Sequence, residues 1–143
     1  MDGIDYHFLD MDTFLSQVDE GSFLEHAIVH GNAYGTRLAD VEALRREGHD
    51  VLLEIDWQGA SQVAACCPDA CRIFILPPSV EELRRRLTGR GQDAAEVIDR
   101  RVAAAEAEMA HAGEADYRII NEDFEQALVV LLGIYQARTA GRI

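Results

Sequence analysis

Hydrophobic positions recur at two spacings in this chain. In DMDTFLSQVDEG, residues 10–21, acidic capping candidates precede Phe14, Leu15 and Val18, spaced for one face of a helix. FLEHAIVHG, 23–31, reads as a strand or a pair of short strands, and GNAYGT, 31–36, as a turn set by two glycines and Asn32. Thr36 can cap a helix running to Gly48, with Leu38, Val41 and Leu44 along one side. VLLEID, 51–56, is short and mostly apolar, as a strand covered on both faces of a parallel sheet is. A helix follows over about 58–66 and is ended by Pro68.

RIFIL, 72–76, is a second apolar strand, stopped by Pro77 and Pro78. Ser79 with Glu82 three residues later forms a capping box, opening a helix that GRGQD, 89–93, breaks. A long helix is expected over about 94–111, a third strand at YRII, 117–120, and a last helix over 125–138 with Leu128, Leu131, Leu132 and Tyr135 inward. From Val51 onward strands alternate with helices, which predicts α/β architecture with parallel strands and right-handed crossovers. The first fifty residues, with shorter strands and polar or aromatic turns, read as a lobe attached to that part.

Composition adds few constraints. The 143 residues suit one domain with a real core, and 48% hydrophobic with 27% charged residues is ordinary for a globular protein. No apolar run is long enough to span a membrane, and the acidic MDGIDYHFLD start lacks a signal-peptide pattern, so a cytoplasmic protein is expected. A net charge of −13 argues against non-specific binding to nucleic acid or to anionic membrane. A small anionic ligand remains open, because local arginines can dominate a pocket. Cys66, Cys67 and Cys71 lack a second ligand pair for zinc and read as small buried residues on a helix and its exit loop.

The strongest local signal is basic. Arg84, Arg85, Arg86, Arg90, Arg100 and Arg101 crowd into RRRLTGRGQDAAEVIDRR of an acidic chain. They suit a solvated helix face paired with nearby acids. They equally suit a mobile phosphate-binding lid, because Arg90 lies between two glycines and a guanidinium fits phosphate bidentately. Glu25 interrupts an apolar run, and Tyr34 sits in a glycine-rich turn just before Thr36, where a helix N-terminus would favour an anion. Asp56 either caps the helix that follows or points into a site at the strand's carboxyl end. Carboxylates that accept from N1–H and the 2-amino group, with hydroxyls on a phosphate, describe a guanine nucleotide site.

FLEHA, GNAYGT, EIDWQGA, IFILPPS, EELRRRLTGRGQD, VIDRR and YRIINED, in this order, resemble guanylate kinase over about 2–138. IDWQGA and LRRRLTGRGQD are the most specific of these motifs. The resemblance implies an α/β fold with a P-loop-kinase-type parallel sheet, flanking helices, a small mixed GMP-binding lobe and a helical lid. It divides the chain into that lobe (1–48), core (49–83), lid (84–102) and C-terminal core (103–143). It implies that Tyr6 and Tyr34 bind the GMP phosphate, that Glu25, Thr36 and Asp56 read guanine or line its pocket, and that the lid arginines Arg90 and Arg101 close on the transferred phosphate. Arg86 matches a basic lid residue near ATP, and Asn121 a position near adenine. The implied activity is transfer of the ATP γ-phosphoryl group to GMP with Mg²⁺, giving ADP and GDP.

The chain departs from the family pattern in lacking a G-x-x-x-x-G-K-[ST] P-loop and any lysine; Ala33 also stands where a second tyrosine is common. Without that phosphate cradle, most of the transfer rate is expected to be lost in the isolated chain. The family's first core strand is missing as well, so the chain alone is expected to be marginally stable or to self-associate through exposed core edges. The expectation is that Met1 is an internal start of a longer protein or that the gene product is partial. The alternative is a non-catalytic guanylate-kinase-like module that holds GMP or a phosphopeptide, or a fragment that does not fold alone.

Overall fold

Alternating apolar residues and cap signals place most of the elements in a computed structural model that describes residues 6–29, 31–91 and 93–140. Met1 and the Gln92 of GRGQD lie outside these residues. The chain forms two compact units, one ending at Ala70 and the other starting at Cys71.

In the first unit, helix α1 (Met11–Asp19) is capped by Asp10, whose side chain accepts from the Thr13 N–H. That bond holds the Asp10 carboxyl below its ordinary range. Strands β1 (Phe23–Val29) and β2 (Asn32–Arg37) pair antiparallel, with Gly31 at φ +83° between them. GNAYGT is therefore mostly strand rather than turn. Asn32 already opposes Val29 in the ladder. The register slips between Phe23 and Glu25. A bulge there turns the strand locally, and Leu24 and Glu25 are both buried although neighbours on a strand face opposite ways.

Helix α2 (Leu38–Arg46) starts two residues after Thr36, and its N-cap Arg37 makes no side-chain cap bond. The expected cap at Thr36 is not formed, because that hydroxyl faces Glu25 across the strand pair. Helix α3 (Trp57–Cys66) is capped by Asp56, which accepts from the Gly59 N–H at 3.0 Å. Leu24, Val41 and Val63 form the core of this unit, with Val51, Leu53 and Ile55 packed against it. Leu52 between them is 85% exposed. Residues 51–56 thus alternate as a strand does, yet no described residue pairs with them in a ladder. The expected strand is corrected to an unpaired segment, since alternation sets which side chains bury while a strand needs a partner for its backbone.

In the second unit, β3 (Ile73–Leu76) and β4 (Tyr117–Ile120) pair in parallel, from Ile73 opposite Tyr117 to Leu76 opposite Ile120. Helix α4 (Val80–Gly89), helix α5 (Ala95–Met109) and a 3₁₀ turn (Ala110–Glu114) make the crossover. Ser79 caps α4 by accepting from the Glu82 N–H at 3.1 Å. Ile98 and Val102, four apart on α5, are buried, as are Ala112 and Ile119. Helix α6 (Phe124–Thr139) follows β4. Leu128 and Leu131 on it are half-buried, but Leu132 and Tyr135 are about half exposed instead of inward. Cys66 is exposed rather than buried, while Cys67 and Cys71 are half-buried. Among the described residues no helix is long and apolar enough to cross a membrane.

Candidate functional site

Five of the nucleotide-site residues expected from the sequence lie in the first unit, and four of them fall into two contacts. Glu25 and Thr36 oppose each other in the β1–β2 register. Opposed side chains share a face of the pair, and the Thr36 hydroxyl donates to Glu25 Oε1 at 2.5 Å. Glu25 is 4% exposed, and it is the buried charged residue of the described chain. Tyr6 and Tyr34 meet edge to face, with ring centroids 6.3 Å apart. Both rings remain about half exposed, so their hydroxyls can reach a ligand.

Asp56, the fifth, takes the capping role. Its Oδ1 accepts from the Gly59 N–H, and its Oδ2 accepts from Gln58 Nε2 at 2.8 Å. The two acids converge on Gly59. A Cβ placed at Gly59 would lie 2.5 Å from Glu25 Oε2, so only glycine lets the carboxylate approach the first turn of α3 this closely. Gln62, one turn further along α3, accepts from the His26 N–H at 3.0 Å and donates to the His26 carbonyl at 2.7 Å.

The remaining four lie in the second unit. Arg86, Arg90 and Asn121 line one cleft of about 240 Å³, whose apolar wall includes Ile75, Pro77 and Leu87. The guanidinium of Arg86 is tightly held. Its Nε donates to Glu82 Oε1 at 2.7 Å, and its terminal nitrogens donate to the carbonyls of Asn121 at 2.7 Å and Glu122 at 2.8 Å. The Asn121 N–H in turn donates to the Leu76 carbonyl, which fixes its backbone at the end of the sheet. Glu82 also receives two bonds from Arg85, and the two arginines hold its carboxyl down from 4.5 to about 2. Arg101 does not line the cleft. It pairs with Asp93 at 3.0 Å, and Arg84 bridges α4 to Asp99 on α5. The arginine run is thus partly a set of helix-face ion pairs and partly a cleft wall.

The sequence pattern alone does not mark Gly59, Gln62 or Glu82 as site residues. Glu82 carried a readable signal in its spacing of three and four from Arg85 and Arg86. Gly59 stood in IDWQGA without a visible reason, because its close neighbour Glu25 is thirty-four positions away.

The guanylate kinase family model matches residues 1–137. Among known proteins, the chain is 57% identical to the guanylate kinase of Alkalilimnicola ehrlichii over 136 residues, which are 95% of this chain and 67% of that protein. It is 50% identical to that of Pseudomonas syringae pv. syringae, over 96% of this chain and 64% of the relative. A crystal structure of guanylate kinase from Anaplasma phagocytophilum superposes with a TM-score of 0.78 at 37% identity, over 96% of this chain and 66% of that one. The chain thus spans about two thirds of the length of the relatives it matches. By the match along 137 residues and the level of identity, it belongs to the guanylate kinase family.

Proposed function

We propose that this chain carries the GMP-recognising lobe, the lid and the C-terminal core of a cytoplasmic guanylate kinase. In the reaction an oxygen of the GMP phosphate attacks the γ-phosphorus of ATP, the bond from that phosphorus to the ADP oxygen breaks, and GDP and ADP are released. The observation that carries this proposal is the buried Glu25, tied to Thr36 and seated against Gly59 at the start of α3. A buried carboxylate needs hydrogen-bond donors, and the edge of guanine supplies two adjacent ones, at N1 and at the 2-amino group. Adenine presents an acceptor at N1 and is refused.

In this proposal Asp56 borders the guanine pocket while capping α3. The Tyr6 and Tyr34 hydroxyls donate to the GMP phosphate. Arg90 and Arg101 close on the transferred group, which requires Arg101 to exchange Asp93 for phosphate oxygens. Arg86, held by Glu82 and by two carbonyls, presents a fixed positive charge to ATP beside Asn121. Mg²⁺ enters as the ATP complex. Among the described residues no group of three or more His, Cys, Asp or Glu side chains is placed to hold a metal ion. The 143 residues contain no lysine and no G-x-x-x-x-G-K-[ST] cradle for the ATP phosphates, so by themselves they bind GMP better than they turn it over.

Thermal unfolding of the purified chain with millimolar GMP or AMP tests this proposal. A ligand that binds only the folded state raises the midpoint. An upward shift with GMP and none with AMP is expected; equal shifts, or none with GMP, overturn the proposal.

A further inference from the structure

Helix α3 meets strand β1 at two successive residues, and the partners on the helix lie three apart, on one face. Gly59 faces Glu25, and Gln62 faces His26. We propose that Gly59 and Gln62 are positioning residues for guanine selection. They fix the Glu25 carboxylate where it can take both N1–H and the 2-amino group; this rests on the reading of Glu25 given above.

Strand β1 has β2 on one side, and its sheet has two strands among the described residues. On the open side, Gln62 offers His26 an acceptor and a donor at 3.0 and 2.7 Å, as a neighbouring strand would. A water molecule could satisfy the same backbone groups, but it would not tie them to a helix. The Gln62 amide therefore sets the distance between β1 and α3 one residue from Glu25. Gly59 sets the other side, since any Cβ there would occupy the space of Glu25 Oε2. A carboxylate that must receive two parallel N–H groups tolerates little displacement, and the residues that lock its backbone govern selectivity as much as affinity.

The test compares binding of GMP and inosine monophosphate, which lacks the 2-amino group, to the full chain by calorimetry. The unaltered chain is expected to prefer GMP, and Glu25→Gln to lose the preference. If the unaltered chain has no preference, or Glu25→Gln keeps it, the guanine reading itself falls and takes this inference with it. Gln62→Met removes both bonds at similar volume and is expected to cut the preference by about tenfold. Gly59→Ala is the second variant, and it separates positioning from folding. Alanine favours helix over glycine, so a merely structural role predicts an unchanged preference, whereas displacement of Glu25 predicts a lower one. Val63→Ala, a core truncation on the same helix, is expected to lower the unfolding midpoint and to leave the preference intact. Loss of the preference in Glu25→Gln, with the preference retained in both Gln62→Met and Gly59→Ala, overturns the positioning role alone.

Discussion

Thr36 Oγ1 donates to Glu25 Oε1 at 2.5 Å, across a strand pair in which the two residues stand directly opposite one another. The bond joins the first and last thirds of one hairpin and supplies a donor to a buried charge. Thr36→Val keeps the shape and removes the donor. The loss is expected to destabilise the chain by about 1–3 kcal/mol, the cost of leaving a buried polar group short of a partner. Urea unfolding checks this, with Thr36→Ser retaining most of the stability. An unchanged midpoint in Thr36→Val sinks the idea that this bond supports the lobe.

Glu25→Gln addresses the ligand rather than the fold. A neutral amide still accepts from Thr36, but it loses the charge-assisted bonds to the guanine edge. GMP affinity is expected to fall by about 1–3 kcal/mol, measured by calorimetry. Equal affinity in the two proteins removes Glu25 from the recognition of guanine.

Much of this architecture was legible from spacing and caps. Ser79 and Asp56 begin helices as their positions predict, and YRII and RIFIL supply the parallel strands. Three things were not legible, each for a physical reason. The segment 51–56 has the alternation of a strand, but whether a partner pairs with it is a property of the assembled sheet. The face of α6 could not be read because apolar residues run unbroken from Ala127 to Leu132, so periodicity selects no single stripe and Leu132 ends half exposed. The bonds from Gln62 to His26 and the approach of Gly59 to Glu25 link positions more than thirty residues apart, and no local pattern separates such a glutamine from a solvated one.

Gly35 opposes His26 in the hairpin, and its requirement is steric. A Cβ there would lie 2.8 Å from Phe23 Cδ1 and 3.1 Å from the Glu25 carbonyl oxygen. The ring can shift, at the expense of its packing against Phe14 at 4.8 Å between centroids. The carbonyl belongs to a bulged strand and has less room to yield. Gly35→Ala is therefore expected to destabilise by about 1–3 kcal/mol, as overpacking does. It should also weaken GMP binding, because the backbone of Glu25 moves. A gain in stability from the smaller unfolded-state entropy of alanine would mean that Phe23 relaxes freely.

Arg86 ties α4 to the residues just beyond β4 through the carbonyls of Asn121 and Glu122. Arg86→Met keeps the aliphatic stem and deletes these donors. The variant is expected to lose about 1–2 kcal/mol in chemical unfolding. Amide exchange should rise selectively around Asn121 and in α4. Uniform exchange across the second unit would mean that the guanidinium does not anchor the helix.

Glu82 gives the pH dependence of the same helix. Its carboxyl titrates at about 2, against an ordinary value of 4.5, first because Arg85 and then because Arg86 donates to it. A carboxyl whose folded-state pKa is depressed binds fewer protons in the folded state than in the unfolded state. Its stabilising contribution is therefore complete above the ordinary value and shrinks as pH falls from there through the folded-state value. The pair is solvent-screened, so the effect on the midpoint is modest. Near neutral pH, Glu82→Gln is expected to melt below the unaltered chain. The gap should narrow between about pH 4.5 and about pH 2, as followed by circular dichroism. Asp10 and Asp116, also depressed, titrate in both proteins and cancel in the difference. A gap that stays constant across this window would show that Glu82 acts through neutral hydrogen bonds, which glutamine keeps in part, and not through its charge.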